Sequence, residues 1–232
     1  MTKRFYQKVT SGPEGGGYGV ALDGKPVKTP AGHSLVVPTD ILAQAIAREW
    51  DAQGDTLVPA TMSLTRLANT AQDRIMGAHG DVVDAVSAYG GSDLLCHRSD
   101  SDEALCEREA AAWQPILDWA EKELGAALVV GRGVMPVIQS DEALGLYQKR
   151  VAAFDPHSLA ALSEMTSLLE SLVLALAVAE KHLDGHQAFT LSHLDETYQE
   201  EKWGTDPEAL ARSKARKADF LAACEFLTLL AG

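Results

Sequence analysis

The chain has 232 residues, enough for one or two compact domains with a sizeable core. Hydrophobic residues make up 46% of it and charged residues 23%, which excludes wholesale disorder. A formal net charge of -13 repels phosphate backbones and anionic lipids, so nucleic acid and membrane surfaces are poor partners; the acidity serves solubility, or steers a basic protein surface.

The first 38 residues read as strands. Phe5 to Val9 has aromatic and β-branched character, and Gly15-Gly16-Gly17 breaks it. Tyr18 to Leu22 then runs into Asp23-Gly24, a type I′ hairpin signal, and on to Lys25–Lys28. After a turn over Thr29–Gly32, Ser34 to Val37 supplies another strand. This predicts a small antiparallel sheet of three or four strands, which needs something packed on its apolar face.

At Pro38-Thr39-Asp40 the period switches to that of a helix. Thr39 or Asp40 can cap it, Leu42, Ile46 and Trp50 share a face, and Gly54 supplies the stop. Val58-Pro59 reads as an extended connector. A second stripe follows in Leu64, Leu67, Ala68, Ala71 and Ile75, with Arg66, Asn69, Thr70, Asp73 and Arg74 opposite. Asp81 to Tyr89 is a short helix ended by Gly90-Gly91, and Ser92 to Arg98 looks extended. Asp102 caps a long helix to Leu124 with Gly125 as its stop and Pro115 inside, where a kink or break is expected.

Gly131, Gly133 and Pro136 make 126–139 a strand or an irregular excursion. Asp141 to Phe154 is a helix. Asp155-Pro156 opens another, which runs to Leu183 and is bent or split near Ser163. Ser192 caps a helix reaching Trp203-Gly204, and Asp206-Pro207 starts the last one. The expected fold is α+β: an N-terminal β domain with one helix over 1–60, then a helical domain over 61–232.

Reaction chemistry is thinly represented. Cys96, Cys106 and Cys224 form no close pair, so neither a disulfide framework nor a structural zinc site is expected, and a reducing compartment fits. The glycine run lacks the Lys and the helix that a phosphate-cradling loop requires. His182, His186 and His193 surround a turn at Gly185, which breaks the geometry for a shared metal. No G-x-S-x-G elbow occurs, and Cys96 and His97 are strand neighbours facing opposite ways. No catalytic residue, metal or cofactor is expected. Met1–Thr10 has no apolar leader, and the apolar run Leu168–Ala179 is interrupted by Glu170 and Ser171, short of the roughly 20 residues of a membrane span.

One segment resists a purely structural reading. Asp195 to Gly204 sets Trp203 at a helix end among acids. It either covers the core or faces a partner, where Trp is enriched at hot spots and an acidic rim complements basic groups.

Several stretches carry a resemblance in their order and spacing: Gly17 to Pro30; Glu49-Trp50-Asp51-Ala52-Gln53-Gly54 with Pro59, Thr61-Met62 and Leu64 to Thr70; Asp93 to Cys96; Trp113-Gln114-Pro115 with Asp118-Trp119-Ala120; Leu194-Asp195-Glu196; and Glu201-Lys202-Trp203-Gly204. Together they resemble the assembly chaperones of the F-type ATP synthase that act on the alpha subunit, the ATP-twelve family. The resemblance runs from Arg4 to the final helix and is weakest over 126–139. It implies a chaperone that masks the unassembled alpha subunit of F1-ATPase and hands it to the beta subunit, with no cofactor, monomeric when free. It also implies a bacterial cytoplasmic member, or the mitochondrial matrix if a leader has been removed. On this reading Glu200, Glu201, Trp203, Asp195 and Asp206 contact the partner, while Arg66, Asn69 and Asp93 are structural polar groups tying the β part to the helical part. The alternatives are a small-substrate hydrolase using a carboxylate with His97, or a general protein-interaction module.

Overall fold

In the computed structural model, which describes residues 2–133 and 135–232, a small N-terminal antiparallel sheet precedes a larger helical part. The sheet is built from β1 (Val9–Glu14), β2 (Gly17–Leu22), β3 (Lys25–Pro26) and β4 (Val36–Val37). β2 is its spine, pairing with β1 along one edge and with β3 and β4 along the other. Two two-residue turns set the register. Asp23 and Gly24 have φ of 49° and 80°, as the hairpin signal predicts, and Gly15 and Gly16 have φ of 60° and 87°. The first strand therefore starts four residues later than its composition suggests and runs through Gly12 and Pro13 right up to the glycine turn. Gly17 serves a different need: a Cβ there would stand 2.6 Å from the Val37 carbonyl oxygen.

The helices are α1 (Asp40–Asp51), α2 (Ser63–Thr70), α3 (His79–Ser87), α4 (Glu103–Leu124), α5 (Asp141–Ala152), α6 (Pro156–Leu169), α7 (Leu172–Ala179), α8 (Gly185–Ser192), α9 (Leu194–Trp203) and α10 (Pro207–Leu230). Two short strands, β5 (His97–Arg98) and β6 (Gly131–Arg132), pair in parallel. The chain divides into a first unit of 1–79, 155–161 and 222–232 and a second of 80–154 and 162–221.

In the first unit, Thr39 caps α1 by accepting the Leu42 amide, and Leu42 and Ile46 are fully buried. The Glu49 carboxylate accepts the Leu64 and Thr65 amides at 2.7 and 2.8 Å and the Thr65 hydroxyl at 2.7 Å, so one helix caps the next. Gln53 accepts the Val58 amide and donates to Thr61, fixing the loop between them. These bonds fold Pro59–Thr61 into a 3₁₀ turn where an extended connector is expected, and α1 ends before Gly54. The stripe from Leu64 to Ile75 is buried as its period predicts, although its last turn widens to a π-turn over Ala71–Ile75.

In the second unit, Asp102 and Gly125 cap α4 at the expected positions, Gly125 with φ of 69°. The helix passes through Pro115 without a break. Pro115 and Ala111, whose carbonyl loses its partner, both lie on the exposed face, where water can replace the missing bond. Three expectations are corrected. Leu94–Cys96 is a 3₁₀ turn within the stretch read as extended. Gly185 opens α8, and Ser192 ends it instead of capping the next helix. The long apolar helix splits at Glu170 and not near Ser163. Glu170 takes φ of 55°, and Ser171 restarts the helix by accepting the Leu174 amide. Asp93 holds that restart, accepting the Ser171 hydroxyl at 2.8 Å and the Val173 amide at 3.0 Å.

Candidate protein-interaction surface

The side chains of α9 divide by helical geometry into an inner and an outer face. With 100° per residue, Leu194 and Tyr198 point inward and are buried, while Glu196, Glu200 and Trp203 share the opposite side, Glu196 and Trp203 exposed and Glu200 half-buried. Trp203 is 76% exposed. Gly204, with φ of 88°, ends the helix immediately after it, and its amide donates to the Glu200 carbonyl.

The inner face is fastened to α4 by charge. Asp102, while capping α4, accepts the Tyr198 hydroxyl at 2.8 Å and an ammonium hydrogen bond from Lys202. Those bonds, Lys202 foremost, hold its carboxyl down at about 2. Arg108 reaches both carboxylate oxygens of Glu201 at 2.9 Å. The Arg108 guanidinium and the Lys202 ammonium also stand over the Tyr198 ring, 5.0 and 4.6 Å from its centroid.

Beneath this layer Glu109 and Asp195 turn their carboxyl groups toward each other beside Arg98. One oxygen of each, Oε1 of Glu109 and Oδ1 of Asp195, is sealed from solvent. Burial pushes both carboxyls up. Arg98 lies 5.0 Å over the Trp113 ring and donates to the Glu109 carbonyl. A cleft of about 310 Å³ opens alongside, lined by Leu94, Glu170, Ser192, Asp195, Glu196, Gln199 and Arg216. Its one cation, Arg216, already pairs with Glu170 at 2.7 Å.

The acids grouped by sequence therefore separate by role. Glu200 and Trp203 stand on the outer face of α9. Glu201 is held by Arg108 on the flank, and Asp195 turns partly inward. Asp206 is exposed and accepts the Glu208 amide at the start of α10. Glu196, on the outer face, is the residue that sequence grouping alone leaves out; its spacing of four from Glu200 and seven from Trp203 is the signal that places it there.

Of the three structural polar groups, Asp93 is fully buried, and among the described residues its hydrogen-bond partners Leu95, Ser171 and Val173 all lie in the second unit. Arg66, expected in a buried contact, is exposed and donates to Ser63 within its own helix at 3.2 Å. Asn69 sits half-buried on the polar side of α2. The residues weighed for chemistry scatter: His182 stacks on Trp119, His193 stacks on Phe189, and His186 is exposed on α8. Cys96 beside His97 is a fully buried core thiol, pushed up to about 12 chiefly by burial, which leaves no thiolate at neutral pH.

Comparison with known proteins places these features in context. A family profile described as ATP12 chaperone protein matches residues 3–121. The mitochondrial protein atp12 of Schizosaccharomyces pombe is 23% identical over 219 residues, covering 89% of this chain and 75% of that protein. Among solved structures, Atp12 from Paracoccus denitrificans is 40% identical with a TM-score of 0.93, over 99% of this chain and 98% of that one. The Atu1473 protein of Agrobacterium tumefaciens is 43% identical with a TM-score of 0.94, over 98% and 86% of the two chains.

Proposed function

Because this chain belongs to the ATP12 chaperone family, we propose that it holds the unassembled alpha subunit of the F1 sector of ATP synthase, masks its subunit interface, and yields it to the beta subunit. An unassembled subunit exposes an apolar face meant for its neighbour, and such faces aggregate. The observation that carries the reading is Trp203, a large aromatic held in water at the end of a helix, with Glu196 and Glu200 on the same side. In this reading the indole enters an apolar depression on the alpha subunit, and the two carboxylates meet basic groups around it.

The outer face of one ten-residue helix offers a small contact. Interfaces at the low end of the range, below about 1,200 Å² in total, are reversible, which suits a binder that must leave when the true neighbour arrives. Masking needs shape and charge and no reaction centre.

Affinity capture tests this with purified alpha subunit at moderate salt. Trp203→Ala is expected to weaken capture by about 2 kcal/mol, the scale of a hot-spot aromatic, with an unchanged melting temperature. Glu200→Lys is expected to weaken it further and to reduce its salt dependence, Glu196 remaining in place. Undiminished capture by both variants would place the contact elsewhere on the molecule.

A further inference from the structure

The first unit carries a pocket of about 420 Å³ lined by Phe5, Tyr6, Leu22, Asp23, Lys25, Pro26, Val27, Lys28 and Trp50, whose aromatic rings and two lysines set its chemistry. We propose that this pocket binds an acidic segment of a partner polypeptide through one large apolar side chain, with the flanking carboxylates held by Lys25 and Lys28. This goes beyond the masking surface on α9 and stands on separate observations.

Tyr6, Leu22 and Val27 are buried beneath the pocket, while Phe5 is 68% exposed at its edge. Phe5 meets Tyr6 edge to face at 5.4 Å, and Tyr6 meets Trp50 at 5.8 Å, so three rings form one wall. The Tyr6 hydroxyl donates to the Trp50 carbonyl, which fixes that wall. Among the described residues the buried Trp50 indole N–H has no acceptor, an unmet donor on a lining residue. The pocket volume falls within the range that takes a compact ligand and exceeds a single side chain, so backbone on either side of the apolar residue enters too.

Charge names the occupant. Asp23 is the only acid among the lining residues, and its carboxylate is already engaged by the Gln7 and Lys8 amides at 2.8–3.2 Å. Lys25 and Lys28 are exposed and meet no carboxylate among the described residues. The surrounding unit agrees in being close to neutral: it holds 8 Lys and Arg against 9 Asp and Glu, whereas the second unit holds 12 against 24. An acidic segment is therefore repelled by most of the molecule and accepted here.

The test is an NMR titration of the ¹⁵N-labelled full chain with an acetylated, amidated pentapeptide, phenylalanine flanked on each side by two glutamates. Shifts are expected at Phe5, Lys25, Val27, Lys28 and the Trp50 indole, saturating and weakening with added salt. The Lys25→Glu/Lys28→Glu double variant should bind about tenfold more weakly, the order expected of two exposed charge contacts. A lysine-flanked peptide should not bind, and Phe5→Ala, at an exposed position, gives a second check that leaves the lysines in place. Equal affinity in the double variant, shifts centred outside the pocket, or equally tight binding of free phenylacetate would each overturn the proposal.

Discussion

Asp93 lies sealed inside the second unit, where its carboxyl accepts the Leu95 and Val173 amides and the Ser171 hydroxyl. It accepts the Val173 amide in the first turn of α7 from a point 80 residues earlier in the chain, and it fixes where the long apolar helix must stop and restart. Asp93→Ala leaves those donors buried and unpaired, so urea denaturation should show a loss of about 3 kcal/mol. Burial raises this carboxyl from 3.8 to about 6, which means that the folded state binds its proton more readily than the unfolded chain. Its contribution to stability is then greatest at low pH and declines as pH rises between those two values. Relative to Asp93→Asn, which cannot titrate, the native protein should be more stable at pH 4.5 than at pH 7.5; an advantage that grows with pH would contradict the assignment. The same residue marks a limit of sequence reading. Its neighbours from Ser92 to Arg98 read as extended where Leu94–Cys96 is a 3₁₀ turn, and nothing local reveals a partner at Ser171, so the sequence points to a helix break near Ser163 while the break lies at Glu170. Trp203, by contrast, is legible as an unusual residue because a large aromatic next to a helix-ending glycine, among acids, has few structural uses.

At the scale of elements, the legible ones are those whose ends carry their own chemistry. α4 is bounded by Asp102 and Gly125, α10 opens at Pro207, and the hairpin at Asp23-Gly24 follows from two residues that accept positive φ. Elements set by more distant partners escape a local reading: the 3₁₀ turn at Pro59, tied down by Gln53, and α8, whose Asp184–Gln187 capping box starts a helix at a glycine that reads as a stop. α9 occupies a middle position. Its existence follows from the sequence, but which of its acids face outward depends on Asp102 and Arg108 of the α4 segment. Asp102 anchors it as a carboxylate held down at about 2, so its contribution is present above 3.8 and is lost as pH falls through that interval toward 2. Protection of the α9 amides relative to their intrinsic exchange should therefore fall between pH 4 and pH 2 more than that of α7, and Asp102→Asn should show the weaker protection already at neutral pH. Equal protection of α9 in that variant would mean that apolar burial of Leu194 and Tyr198 suffices. Glu201→Lys should cost only about 0.5 kcal/mol, since its pair with Arg108 is exposed.

For the whole molecule, the acidic excess resides in residues 80–232, which contain α9 and the outward-facing Trp203. Composition alone gives the sign of the charge but not its distribution, and the distribution separates a solvating surface from a steering one. An acidic rim around an exposed indole should attract a basic, apolar patch quickly and release it as easily, with an on-rate that falls as salt rises. The direct measurement is light scattering of purified alpha subunit diluted from denaturant, with native chain or Trp203→Ala present at equal folded concentration. The native chain should suppress the scattering at near-equimolar ratio, and Trp203→Ala should need several-fold more protein for the same effect. Equal suppression by the two proteins, or none by either, would contradict the assignment of α9 as the masking surface.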